Sequence, residues 1–326
     1  MTGTPLRGRY ASRLNSFASG YEAEWGRKPS VTEMLARASL VRGLGHVDLN
    51  FPDHMADTRD IVAMARDLGL QVNGLAMRYY SDPGFRRGAF TNPDHGVRRA
   101  AIELTKRGMD AAAAAGVGLM TLWLGQDGWD TAFQVDYRQL WDWEVAGIAE
   151  VAGHSPAMDV AIEYKPDEPR AFALLRDAAT TLLAIREAGA ANLGVTLDFA
   201  HMLYAGEMPA AAAALVARHS RVLGVHLNDG YGKRDDGLMV GAVHPVQTVE
   251  LLAGLRQVGY QGVIYFDTFP DFTGLDPVAE CEANIATVEA MLAAIERLQA
   301  DPVLAGAVAA QDSVAALRRV RQHLSG

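Results

Sequence analysis

The feature that most constrains the fold is an eightfold alternation of short β-rich runs with longer amphipathic stretches rich in Ala and Leu. Strands that alternate with helices in this way are typical of parallel α/β folds. Eight strand-then-helix units predict a single closed (β/α)8 barrel of the TIM type. An open doubly wound sheet is the competitor. However, the first strand leads into SFASGYEAEWGRKPS, which lacks the Gly-rich phosphate turn of that fold.

The pattern also predicts where each element lies. Strands are expected at residues 13–17, 46–51, 71–76, 119–124, 159–163, 194–198, 222–227 and 262–267. Helices are expected at residues 31–43, 57–67, 94–115, 138–153, 169–188, 208–219, 246–258 and 277–299. We assign residues 1–299 to the barrel and 300–326 to a C-terminal helical extension. Ser30 with Glu33 fits a capping box, and Asn92 before Pro93 is expected to cap the third long helix.

Composition excludes several classes of protein. The 326 residues are 49% hydrophobic and 21% charged, which is typical of a globular chain with a large core. The net charge of -9 and the lack of a Lys/Arg cluster argue against binding to nucleic acid or to an anionic membrane. No secretory leader or membrane-spanning run is visible, so a cytoplasmic location is expected. The single cysteine, Cys281, is expected to be a buried, inert thiol.

Potential metal ligands lie at the ends of four consecutive predicted strands. Glu163, Asp198 and Asp267 end the fifth, sixth and eighth strands, and His226 lies in the seventh. Side chains at these ends meet in one mouth of a barrel, where three carboxylates would repel one another unless a cation neutralised them. One such acid alone is more often a helix cap, but four ligands on successive strands predict a metal centre. Oxygen ligands with one imidazole favour Mn²⁺, Mg²⁺ or Co²⁺ over Zn²⁺.

A second group of polar residues is expected around this mouth. Lys165 follows Glu163 by two residues, and His201 follows Asp198 by three. Asp235 and Asp236 lie in the loop GYGKRDDGLMVG after the seventh strand. With His201 these acids could bind a second cation, although DDG is also ordinary turn chemistry.

Several motifs together resemble the xylose isomerase and L-rhamnose isomerase superfamily. They are EYK at 163–165, LDFAH at 197–201, RDDGLMVG at 234–241, LWLGQDGWD at 122–130 and DPGFRRGAFTNPD at 82–94. The resemblance covers about residues 10–290. It implies a metal-dependent aldose–ketose isomerase that acts on an unphosphorylated sugar by hydride shift, with one or two divalent cations, Mn²⁺ foremost, per subunit.

The resemblance also implies roles for individual residues. It assigns Glu163, Asp198, His226 and Asp267 to the first metal, with Asp198 bridging to a second. His201, Asp235 and Asp236 would hold that second metal, and Asp235 would serve catalysis there. Lys165 would polarise the sugar O1, Trp123 and Tyr80 would form an apolar wall, and Glu163 and His201 would also contact the substrate. His54 with Asp57 has the His-x-x-Asp spacing of a ring-opening pair, with Asp53 as the alternative base.

The sequence departs from the family pattern at Gly237, where the acidic loop usually carries another acid. A ketose 3-epimerase is the nearest rival, but such enzymes place a glutamate on the eighth strand where this chain has Asp267. An endonuclease IV-like enzyme and a non-catalytic sugar-binding barrel are the more distant alternatives. The expected partners are a small sugar and further copies of the chain, as a homodimer or homotetramer.

Overall fold

A closed barrel of eight parallel strands forms the centre of the protein. The structure is a computed structural model, and it describes residues 6–54 and 58–324. In chain order the strands are β1 (Tyr10–Arg13), β2 (His46–Phe51), β3 (Gln71–Met77), β4 (Leu119–Trp123), β5 (Gly128–Trp129), β6 (Asp159–Glu163), β7 (Phe172–Ala173), β8 (Leu193–Asp198), β9 (Val222–Leu227) and β10 (Ile264–Phe266). The barrel order is β1-β10-β9-β8-β6-β4-β3-β2, while β5 and β7 form a separate antiparallel pair. The predicted TIM barrel is confirmed.

Helices connect the strands around the outside of the barrel. They are α1 (Tyr21–Trp25), α2 (Val31–Ala38), α3 (Thr58–Asp67), α4 (His95–Ala114), α5 (Tyr137–His154), α6 (Ala178–Ala188), α7 (Phe199–Tyr204), α8 (Pro209–His219), α9 (Pro245–Gln257), α10 (Pro270–Thr273), α11 (Pro277–Gln299), α12 (Pro302–Ala309) and α13 (Ser313–Leu324). Within residues 6–54 and 58–324, no helix is long and apolar enough to cross a membrane.

The barrel strands are apolar because both of their faces are covered, one by the interior and one by helices. All six residues of β8 are buried, and so are the central residues of β2, β4 and β6. Cys281 on α11 is buried as expected, and burial raises the pKa of its thiol to about 12. Parallel strands direct their carboxyl ends to one rim, and that rim carries the polar side chains discussed below.

The first strand lies earlier than predicted. It covers Tyr10–Arg13, and the apolar residues that follow form a 3₁₀ helix at Leu14–Ala18. Leu14 and Phe17 are three residues apart and both buried, so they pack from one face of that helical turn. Arg13 therefore stands at the carboxyl end of β1 rather than at its start.

Three predicted helix boundaries are also wrong. The helix expected at 169–188 begins only at Ala178, because the preceding segment forms β7 and Asp177 caps α6. The helix expected at 31–43 ends at Ala38, although its capping box at Ser30 and Glu33 is confirmed. Asp94 rather than Asn92 caps α4, accepting bonds from the backbone N–H groups of Gly96 and Val97. In these three cases the predicted helix exists, and only its end or its capping residue differs from the prediction.

The last 25 described residues form two helices against α11. Asp301 caps α12 and also accepts bonds from Arg319 and His323 on α13, at 2.7 and 2.8 Å. These contacts explain why the terminal segment is ordered. The division into a barrel of residues 1–299 and an extension of 300–326 stays a prediction.

Candidate metal centre and cavity

Four ligand side chains converge at the carboxyl rim of the barrel. Glu163 and Asp198 end β6 and β8, His226 is the fifth residue of β9, and Asp267 directly follows β10. Each offers one ligand atom, and these atoms all lie within 4.8 Å of one another. We call these four residues the quartet. It is the one group of three or more His, Cys, Asp or Glu in the described residues with such geometry.

The contacts within the quartet suit a divalent cation. His226 Nδ1 lies 3.2 Å from Glu163 Oε1 and 3.9 Å from Asp198 Oδ2. Asp267 Oδ1 is buried and has no hydrogen-bond partner among the described residues, since the nearby Nε of Arg13 lies 3.8 Å away, beyond hydrogen-bond distance. A buried acceptor oxygen without a donor is costly unless something positive binds it. The orphaned oxygen and the oxygen-rich donor set therefore fit a hard cation.

The shifted pKa values of the quartet residues also fit a bound cation. Burial raises the pKa of Asp198 to about 7, and it raises the pKa of Asp267 as well. Burial would also raise the pKa of Glu163, but His226 outweighs it and lowers that pKa to about 2. In return Glu163 raises the pKa of His226 to about 9 against its burial. Near neutral pH the quartet thus holds protons that a bound cation would displace.

His201 and Asp235 form a second polar group beside the quartet. His201 Nδ1 donates to the carbonyl of Tyr164 at 3.0 Å, and its Nε2 lies 3.2 Å from Asp235 Oδ2. Burial would lower the pKa of His201, but Asp198 and Asp235 raise it to about 9. Asp235 Oδ1 is buried and lacks a partner among the described residues. A second cation at this place stays a prediction.

Lys165 also lies at this rim, although β6 ends two residues before it. Its ammonium donates to Asp235 Oδ2 at 3.1 Å, pairs with Glu168 Oε2 at 2.9 Å and lies 5.4 Å from the centre of the Trp123 ring. Burial would lower the pKa of Lys165, but Asp235 and Glu168 raise it above its usual value. Lys165 is therefore a buried, charged donor.

Asp236 points away from this second group. Its oxygens accept bonds from Arg234 Nε at 2.7 Å and from the backbone N–H of Tyr231 at 2.8 Å. These bonds close the loop on itself. At Gly237 the backbone has a φ of 57°, and a Cβ there would collide with the Phe269 ring. The missing acid of the family pattern is thus replaced by a close approach of an aromatic ring.

A cavity of about 290 Å³ opens beside these groups. Its lining combines acids, cations and aromatic rings: Arg13, Arg78, Tyr80, Trp123, Glu163, Lys165, Glu168, His201, Asp235, Asp267, Phe269 and Phe272. Tyr80 and Trp123 meet edge to face, with ring centres 5.4 Å apart. They form one apolar wall of the cavity, and their contact with a substrate stays a prediction.

The two described candidates for ring opening, His54 and Asp53, do not line the cavity. His54 is buried, its Nδ1 accepts the backbone N–H of Asn50 at 3.0 Å, and its Nε2 lies 2.7 Å from Asn15 Oδ1. Both ring nitrogens are thus taken by the protein, and His54 does not line the cavity. Asp53 is exposed and accepts a bond from Ser81. Asp57 lies outside the described residues.

Three residues at the site were missed from the sequence. Asn228 donates to both oxygens of Asp198, at 3.2 and 3.1 Å, and fixes that carboxylate. In the sequence, the position of Asn228 two residues after His226 could have indicated that it lies at the site. Arg13 and Arg78 line the cavity from the ends of β1 and β3. Arg13 was not predicted as a site residue because the sequence pattern places the first strand three residues too late, with Arg13 at its start.

Comparisons with known proteins identify the family to which this barrel is similar. The family model described as "Xylose isomerase-like TIM barrel" matches residues 38–285. The xylose isomerase of Thermus thermophilus is 30% identical over 209 residues, which are 62% of this chain and 54% of that protein. The xylose isomerase of Thermus caldophilus gives the same identity and coverage. The chain thus spans about half the length of the curated relatives it matches.

Solved structures share the fold. An L-ribulose 3-epimerase has a TM-score of 0.69 at 18% identity, covering 89% of this chain and 96% of its own. A D-tagatose 3-epimerase-like protein has a TM-score of 0.69 at 15% identity, covering 87% of this chain and 98% of its own. At these identities the likeness is one of architecture.

Proposed function

The chain belongs to the xylose isomerase-like TIM barrel family, and on that premise we propose that it is a divalent-metal-dependent aldose–ketose isomerase acting on an unphosphorylated sugar. The observation that carries the proposal is the quartet, two of whose members, Glu163 and Asp267, line one cavity with a buried, charged lysine. A cation held by the quartet and the lysine would both supply positive charge where sugar oxygens would bind, which is what a hydride shift between adjacent carbons requires.

The quartet would hold the cation, with Mn²⁺ foremost and Mg²⁺ or Co²⁺ as alternatives. When bound, the cation would supply the positive charge that stabilises negative charge on two neighbouring sugar oxygens. Asn228 keeps Asp198 oriented for this task through its two hydrogen bonds. Such an outer contact fixes a ligand and limits the ways in which the quartet rearranges.

Lys165 would act on the substrate directly. Its ammonium is held between Asp235 and Glu168, so its position is fixed before a sugar arrives. A preorganised cation in a partly water-excluded cavity stabilises developing oxyanion charge more strongly than a mobile one. We propose that the Lys165 ammonium binds the sugar O1. Trp123 and Tyr80 would cover the reacting carbons and keep bulk water from the migrating hydrogen.

His201 and Asp235 support a second cation as part of the same proposal. Because Nδ1 of His201 donates to the carbonyl of Tyr164, its Nε2 is the nitrogen that faces Asp235. That orientation is the one a metal-binding imidazole needs. Replacement of His201 by alanine should leave the quartet's cation in place and abolish turnover. Loss of all bound metal from this variant, by elemental analysis, would show that the two sites are not separate.

A ketose 3-epimerase is the second candidate, and the folds of the solved epimerases favour it. An epimerase exchanges a proton at C3, which needs two carboxylates on opposite faces of that carbon. Glu163 and Asp267 are the available pair, but their ligand atoms lie within one cluster of 4.8 Å. Lys165 has no evident part in proton exchange at C3. The isomerase therefore remains the first proposal.

Chelation followed by addition of single metals tests the proposed function. The metal-free protein should convert none of a panel of unphosphorylated aldoses and ketoses, and Mn²⁺, Co²⁺ or Mg²⁺ should restore conversion of at least one. Lys28→Met, a change at an exposed lysine remote from the cavity, should behave as the parent. Full conversion by protein shown to be free of metal would refute the proposal. A cytoplasmic location and a homodimeric or homotetrameric state stay predictions.

A further inference from the structure

Two guanidinium groups that do not belong to the quartet also line the cavity. Arg13 ends β1 and Arg78 directly follows β3, whereas the quartet comes from β6, β8, β9 and the residue after β10. Neither arginine has a part in moving hydrogen between two sugar carbons. A guanidinium in a partly desolvated cavity is costly unless it meets an acceptor, so its presence calls for a reason.

The two arginines are held in different ways. Arg13 Nη1 pairs with Asp271 Oδ1 at 2.7 Å, and its Nε lies 3.8 Å from Asp267 Oδ1. Arg78 Nε donates to the neutral amide oxygen of Asn50 at 2.8 Å. In the described part of the chain, no carboxylate lies within ion-pair distance of Arg78. Its charge is therefore oriented but not neutralised.

The positive charges of Arg78 and Arg13 lower the pKa of a neighbouring histidine. Burial is the first cause that lowers the pKa of His54 to about 4, and Arg78 and Arg13 lower it further. Arg78 lines the same cavity as the quartet residues Glu163 and Asp267, so a substrate bound at the quartet would extend towards it.

A cation bound to the quartet would not change the lack of an anionic partner for Arg78. Asp267 would then be shared between the cation and Arg13, while Arg78 would still face the cavity without an anionic partner. A hydroxyl group offers a guanidinium one neutral acceptor. A carboxylate offers two charged oxygens that match its planar fork, and such charge-assisted bonds are about twice as strong as neutral ones.

We infer that Arg78, together with Arg13 in the same cavity lining, binds a carboxylate at the end of the substrate remote from the reacting carbons. The enzyme therefore acts on sugar acids of the uronate class. The inference rests on the proposed isomerase function, which places C1 and C2 at the quartet. In a hexuronate the reaction still moves one hydrogen from C2 to C1 and one hydroxyl proton from O2 to O1, and the C6 carboxylate is unchanged. No further reactant is required.

Binding to the Mn²⁺-loaded full chain tests this inference. Matched sets are used in which one hexose skeleton carries a C6 hydroxyl, carboxylate or phosphate, measured by calorimetry and by KM where turnover occurs. For at least one skeleton the carboxylate should bind about tenfold or more tightly than the hydroxyl. Arg78→Met should remove that preference by weakening uronate binding much more than hexose binding, while Arg78→Lys retains part of the preference. Arg42→Met, at an exposed arginine paired with Glu282, serves as the control.

The outcomes separate the inference from the function on which it rests. Isomerisation of hexoses without any preference for carboxylates would overturn the inference and leave the isomerase intact. A carboxylate preference that Arg78→Met removes, in protein that converts no sugar, would support the binding site and refute the isomerase. Equal loss of hexose and uronate binding in Arg78→Met, or a preference for the phosphate, would overturn the assignment to a carboxylate.

Discussion

Replacing Asp198 by asparagine should stabilise the metal-free protein at neutral pH and abolish its stabilisation by metal. Burial raises the pKa of this carboxyl from 3.8 to about 7, a shift of about three units. Each unit corresponds to about 1.4 kcal/mol, so ionised Asp198 costs the metal-free fold roughly 4 kcal/mol. Asparagine cannot ionise, and it caps α7 about as well as aspartate. The variant avoids that cost.

The sign of the pH dependence follows from linkage. An acid whose pKa is raised by folding stabilises the fold below its ordinary pKa, and this contribution is lost as the pH rises towards 7. Part of the gain is offset, because one amide group of the variant cannot accept from Asn228 as the carboxylate does, at a cost of about 1 kcal/mol. We expect a net gain of roughly 3 kcal/mol at pH 8 and roughly 1 kcal/mol at pH 5.

Urea unfolding with chelator and with excess Mn²⁺ measures both effects. Excess metal should stabilise the parent by about 3 to 4 kcal/mol and the variant far less, so most or all of the variant's advantage should disappear. Asp229→Asn is the matched control. This aspartate is equally buried but accepts bonds from the N–H groups of Gly230, Val243 and His244, so its loss should destabilise the protein with and without metal. An Asp198→Asn variant less stable than its parent in chelator at pH 8 would refute the reasoning.

Three further changes have defined outcomes. Lys165→Met should lower kcat about 100-fold or more with unchanged metal content, because it removes a preorganised charge; an unchanged kcat would exclude Lys165 from the reaction. Glu144 is buried on α5 with neither carboxylate oxygen bonded in the described residues, and burial raises its pKa, so the stability of Glu144→Gln relative to the parent in urea unfolding should increase as the pH rises from 5 to 9. A gain that shrinks with pH would contradict this sign. Gly237→Ala should cost about 2 to 4 kcal/mol through its φ of 57° and its collision with Phe269, whereas Gly153→Ala, with no atom within 4 Å, should not destabilise the fold.

The barrel and the quartet could be predicted because both depend on short-range patterns. The strands that precede the quartet acids are largely apolar runs, and the acids at 163, 198 and 267 stand where those runs stop. A barrel directs those stops to one rim, so the convergence follows once eight units are counted. His226 could be placed by the same reasoning, since its strand was predicted with the correct bounds.

The rest depends on contacts that no short-range pattern records. The place of Arg13 at the rim depends on the pairing of β1 with β2 and β10, which lie far away in sequence. Asp235 and Asp236 are neighbours of the same type. Only closure of the loop, through the bond from the backbone N–H of Tyr231 to Asp236, decides that Asp235 faces the cavity. The apolar residues at 14–17 suit a strand or a short helix equally, and their tertiary packing makes them helical.

The central claim is that hydrogen moves between neighbouring sugar carbons without exchanging with water, and turnover in D₂O tests it most directly. The Mn²⁺-loaded protein is incubated with a converted sugar, and deuterium in the product is located by NMR. A hydride shift assisted by Lys165 and the quartet's cation predicts little deuterium at C1 or C2 and none at C3. Deuterium at C2 alone would indicate proton transfer through an enediol, and stoichiometric deuterium at C3 would contradict the isomerase and identify an epimerase.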